Sequence, residues 1–179
     1  MNNLKVTSKR GQIWIETVIY TLIALVMIGL VLSFMKPNLE KLSDQTTISN
    51  SINMFGEIHG LVLSIREVPG NQRLIDLNIK NGVVNIDGKN DKLTFEIESD
   101  SAYSEIGKDV YYGDVVANTQ KIGGAHLLTL RLDYQNDYNV TYSGEDILKS
   151  LTKSQVPYRV LISNKGQSGS KIAMNFEVI

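Results

Sequence analysis

The sequence predicts an α+β chain: a long N-terminal helix, hydrophobic and then amphipathic, packed on an antiparallel β-sheet or β-sandwich head. Two observations predict it. Residues 17–35, TVIYTLIALVMIGLVLSFM, run for 19 positions without a charge, and beyond Pro37 apolar residues recur at the helical period. From residue 73 onward the period changes to two, and polar, glycine-bearing turns divide the chain into short segments.

The chain opens on a basic segment. Residues 1–11 hold Lys5, Lys9 and Arg10 and no acid, and read as a cytoplasmic leader. Residues 12–36 follow as a transmembrane helix. At about 1.5 Å per residue it crosses a hydrocarbon core of roughly 30 Å. A secretory apolar core is shorter, about 7–15 residues, and ends at a small-residue cleavage site. Here Ser33 is the only small residue near the far end, and Phe34, Met35 and Lys36 follow it. Bases ahead of the segment orient the C-terminal part to the outside.

Pro37 either kinks this helix or sits in the first turn of a second one. Residues 37–68 read as its amphipathic continuation. Leu39 and Leu42 begin a stripe that Ile48, Ile52, Phe55, Ile58, Val62 and Ile65 continue at steps of three and four. Pro69-Gly70 is the stop. One apolar face needs a cover, and residues 69–179 supply it as the extracellular head.

The head reads as six to eight strands. RLIDLNI (73–79) alternates. GVVNIDGKNDKLTFEIES (82–99) is a hairpin: Val84 and Ile86 lead to the Asp87-Gly88 turn, and Leu93, Phe95 and Ile97 return. KDVYYGDVVAN (108–118) is a strand broken at Gly113. HLLTLRLDY (126–134) sets Leu128, Leu130, Leu132 and Tyr134 on one face, and YNVTYS (138–143) is positioned to pair with it. GEDILKSLTK (144–153) reads as a short helix. VPYRVLISN (156–164) and KIAMNFEVI (171–179) are the last strands, with NKGQSGSK as the turn between them.

Composition excludes several function classes. With 18 Lys+Arg against 19 Asp+Glu, the balanced charge argues against a nucleic-acid binder held by a basic surface. With no cysteine, disulfides, thiolate metal sites and cysteine nucleophiles are absent. No G-x-S-x-G elbow and no glycine-rich phosphate loop occurs. DGKND (87–91) offers oxygen ligands without the spacing and distal glutamate of a calcium loop, and reads as a hairpin turn. The two histidines, His59 and His126, read as structural, and the eight tyrosines suit sheet faces and subunit contacts. The expectation is a non-enzymatic protein with no cofactor and no metal. Asn139-Val140-Thr141 is an N-glycosylation sequon on the exterior side.

The stretch KRGQIWIE, residues 9–16, is more specific. Two bases, a glycine and a polar residue precede the apolar helix, and one acid, Glu16, lies within its start. This resembles the class III signal peptide of type IV pilin-like proteins in its archaeal form. The resemblance implies that a prepilin peptidase cuts after Gly11 on the cytoplasmic side. Gln12 becomes the new N-terminus, Lys9 and Arg10 are the leader's basic residues, and Glu16 is the family's acidic residue. Trp14 departs from the small hydroxyl residue that archaeal members often carry. The resemblance also implies a lollipop-shaped subunit of a surface filament serving adhesion, motility or secretion. Its partners would be the membrane, copies of itself or related pilins, and the pilus assembly machinery.

Elementary electrostatics fits that reading. Cleavage before Gln12 creates a positive α-amine, and Glu16 of a neighbouring subunit needs such a partner once drawn into an apolar bundle. The competing placement leaves Glu16 in the headgroup zone or against the first helical turn. The competing function is a signal-anchored, non-polymerising extracellular β-domain that binds a surface ligand. An anchor of that kind has no use for the acid.

Overall fold

The computed structural model describes residues 9–100 and 102–179, with side chains described from residue 14 onward except at positions 37 and 40. The expected α+β class is found. One helix, α1 (Lys9–Ile65), precedes ten strands: β1 (Gln72–Leu77), β2 (Val83–Asp87), β3 (Lys92–Ser99), β4 (Asp109–Tyr112), β5 (Val115–Ile122), β6 (Ala125–Asp133), β7 (Tyr138–Tyr142), β8 (Leu148–Thr152), β9 (Tyr158–Ser168) and β10 (Lys171–Val178). The chain divides into two units, one reaching Leu42 and one running from Ser43 to Ile179.

α1 is helical through position 37, so no second helix starts there. Within the second unit the apolar stripe is core. Ile48, Phe55, Ile58, Val62 and Ile65 are each at most 2% exposed, and Ile52 is half-buried. Each contributes roughly 1.5–3 kcal/mol by leaving water. Leu39 and Leu42, which the periodicity adds to the same stripe, are exposed.

The helix ends at Ile65, three residues short of the sequence expectation. The stop is chemical as well as conformational. Gly70 has φ +87° and its N–H donates to the Asn164 carbonyl, while the Asn164 amide donates to the carbonyls of Ile65 and Arg66. The orphan carbonyls of the last turn are thereby satisfied from β9.

The strands form two sheets. One has four strands in the order β1-β9-β10-β7, and the other has six in the order β4-β5-β6-β3-β2-β8. Both sheets and residues 48–65 of α1 share one core. Leu93, Phe95, Leu128, Leu130 and Leu132 enter it from the six-stranded sheet, and Val160, Ile162, Met174 and Phe176 from the four-stranded one. The period-two residues named from sequence are the buried ones, as a half-buried strand requires.

Three sequence expectations are corrected. Residues 144–153 are not a helix: Leu148–Thr152 is β8, antiparallel to β2, with Leu151 opposite Val84. Leu151 is buried while Ile147 and Leu148 are exposed, so pairing with an open sheet edge overrides a local pattern that fits a helix. β7 does not pair with β6. It lies parallel to β10, because residues 134–137 carry the chain from the six-stranded sheet to the four-stranded one. β9 runs on to Ser168 through most of the expected turn, which contracts to Gly169-Ser170.

Candidate functional site

The residues singled out from sequence fall in both units. Lys9, Arg10, Gly11 and Gln12 lie within the span of α1, and their side chains are outside the described residues. Residues 14–36 are exposed at every position, Trp14 at 74% and Phe34 at 78% among them. Among the described residues this helix alone is long and apolar enough to cross a membrane, which is compatible with membrane anchoring. Three of its polar side chains bond back to the preceding turn. The Thr21 hydroxyl donates to the Thr17 carbonyl at 2.8 Å, Ser33 to Gly29 at 2.9 Å, and the Asn38 amide to Phe34 at 3.2 Å. Such back-bonding to the preceding turn removes most of the cost of a hydroxyl in hydrocarbon. Glu16 makes no such bond. It is exposed and has no hydrogen bond or ion pair among the described residues.

Asn139 is half-buried on β7, at the edge of the four-stranded sheet, paired with Ala173. Thr141 of the same sequon is buried and its hydroxyl donates to Asn175 Oδ1 at 3.0 Å. DGKND is a hairpin turn. Asp87 accepts the backbone N–H groups of Lys89 and Asn90, and Asp91 adopts φ +48°. His126 lies in β6 between Ser99 and Lys121.

The sequence reading missed three side-chain constellations. Asn164, 1% exposed, accepts the Gly166 N–H at 2.7 Å besides holding the end of α1. Asp91 accepts the Val140 N–H at 2.8 Å and pairs with Lys171 Nζ at 2.7 Å, so one turn of the six-stranded sheet is tied to two strands of the other. His59 stands at the helix surface between Tyr134 and Asp114. Its Nδ1 lies 3.3 Å from the Tyr134 hydroxyl, its Nε2 lies 3.3 Å from Asp114 Oδ2, and the rings of His59 and Tyr134 stack at 5.8 Å. The carboxylate only accepts, so Nε2 carries the proton, and in the neutral imidazole Nδ1 accepts from Tyr134. Burial, then the neighbouring Tyr138 and Asp114, push the Tyr134 phenol well above its usual range, so it keeps that proton. No sequence period marks these residues, because each acts across a sequence separation that only the folded topology closes.

His59, Asp114, Tyr134 and Tyr138 border a polar cleft of about 820 Å³. Among the described residues no group of three or more His, Cys, Asp or Glu is arranged to hold a metal ion. The geometry therefore defines a class: an α+β chain with a membrane-compatible N-terminal helix and a polar-stapled β head. No family model, curated protein or solved structure matches this chain.

Proposed function

We propose that this chain is the precursor of a structural subunit of a type IV pilus-like surface filament. The observation that carries the reading is the apolar run from Trp14 to Met35. It is exposed throughout, its Thr21 and Ser33 hydroxyls bond back to the preceding turn, and it contains one acid with no partner among the described residues. A helix that meets its own backbone needs passes from lipid into a helical bundle at small polar cost. In that bundle Glu16 takes the α-amine of a neighbour's Gln12 as its partner, which desolvation makes obligatory. Subunits related by a heterologous, non-closing operator then extend as a fibre. Prepilin peptidase releases Gln12 by cutting after Gly11, and Lys9 and Arg10 hold the leader in the cytoplasm.

The test is the N-terminal residue of the mature protein recovered from membranes or sheared surface material. Gln12 is the expected first residue. An intact Met1, or a terminus beyond Met35, overturns the proposal in favour of an anchored or released β-domain.

A further inference from the structure

A second cleft, of about 310 Å³, lies where α1 meets the connection between β1 and β2. Asn50, Asn53 and Glu57 reach it from the helix at positions i, i+3 and i+7, one strip beside the core stripe. Asn78 and Lys80 reach it from the β1–β2 connection. These five side chains are exposed and make no hydrogen bond or ion pair among the described residues. Half-buried Met54 and buried Phe95 form its apolar part. The polar groups of the head's other constellations are spent on holding elements together; these five are not.

We propose that the cleft is a binding site for a neutral saccharide of one or two hexose units. Each asparagine amide presents a donor and an acceptor side by side, which matches a sugar hydroxyl that both gives and accepts a proton. The Glu57 carboxylate accepts from adjacent hydroxyls, and Lys80 donates to a hydroxyl or ring oxygen. Met54 meets the C–H face of the ring. Charge selects a neutral ligand. Glu57 and Lys80 offset each other, and the remaining nearby carboxylate, Asp76, already pairs with Arg159 at 3.4 Å. The volume lies at the small end of ligand pockets, which suits a compact ring better than an extended chain. The inference holds whether or not the chain polymerises.

The test uses the full chain in a detergent without a sugar headgroup. Saturation-transfer NMR is run against glucose, galactose, mannose, N-acetylglucosamine, maltose and lactose. At least one is expected to receive transfer with millimolar affinity. The double variant Asn53→Ala, Glu57→Ala is expected to weaken that binding about tenfold by removing two hydrogen-bonding groups. Its thermal unfolding should match the parent, because both positions are exposed. Absence of transfer to every sugar overturns the proposal, as does undiminished binding to the double variant or binding of an extended peptide alone.

Discussion

Replacing Asn164 with alanine tests whether one side chain joins the helix to the head. Asn164 is 1% exposed, and its amide makes three hydrogen bonds: to the Ile65 carbonyl at 2.9 Å, to the Arg66 carbonyl at 2.8 Å and from the Gly166 N–H at 2.7 Å. At about 1 kcal/mol net per bond, the loss is about 3 kcal/mol, and more where a buried partner is left unsatisfied. For a head of this size that lowers the midpoint of thermal unfolding by roughly 10 °C. Asn164→Asp is expected to cost more than alanine. It keeps the acceptor for Gly166 but turns a carboxylate oxygen toward two carbonyls that had received donors. Near-UV circular dichroism of the tyrosines follows the transition, since every tyrosine except Tyr20 lies in residues 43–179. An alanine variant within about 1 kcal/mol of the parent, or an aspartate variant more stable than alanine, refutes the reasoning.

Tyr134 gives a pH prediction. Its folded pKa is raised by burial above an unfolded value of about 10, so its contribution to stability is complete below that pH and is lost as pH climbs beyond it. Phenolate absorbance should show one tyrosine that ionises only with unfolding, and ionisation of all eight in the folded protein would contradict its burial. Gly82→Ala is expected to cost about 3 kcal/mol, because φ is +84° and a Cβ would stand 2.5 Å from the Glu96 carbonyl oxygen and 2.7 Å from the Phe95 ring. A denaturation midpoint equal to the parent's would show that the turn relaxes freely. For assembly, Glu16→Gln is expected to deplete the protein from sheared filaments while the membrane precursor accumulates at normal levels. Filaments containing the variant at parental abundance would disprove the charge pairing.

What was legible in the sequence is what depends on near neighbours along the chain. The stripe from Ile48 to Ile65 and the alternation of Leu128, Leu130 and Leu132 each announce a buried face, and the structure buries them. The break at Gly113 was legible too: Gly113 adopts φ +64° between β4 and β5. What was not legible depends on partners far along the chain. DILKSL carries apolar residues at helical spacing, and only the open edge of β2 makes it a strand. The crossing from β6 to β7 looks like a hairpin until the sheets are assembled. There Tyr134 and Tyr138 turn inward with rings edge to face at 5.4 Å, and the Tyr134 N–H donates to the Asp91 carbonyl. Asn164, Asp91 and His59 resemble any other polar residue in sequence, because nothing local distinguishes a buried clamp from a solvated side chain.

One physical rule governs both units and gives opposite results in them. A polar group removed from water must find a partner. In the head the partner is in the same chain: Asp91 has Lys171 and Val140, and Asn175 accepts from Thr141 and Gly144. In the apolar helix Thr21 and Ser33 are answered by the preceding turn, a solution open only to short side chains with a proton to give. An ionised carboxylate has no proton to give, so that solution is closed to Glu16. If residues 14–35 leave water, an ionised Glu16 needs the headgroup zone, the first helical turn or a cation, and the proposed filament supplies the last.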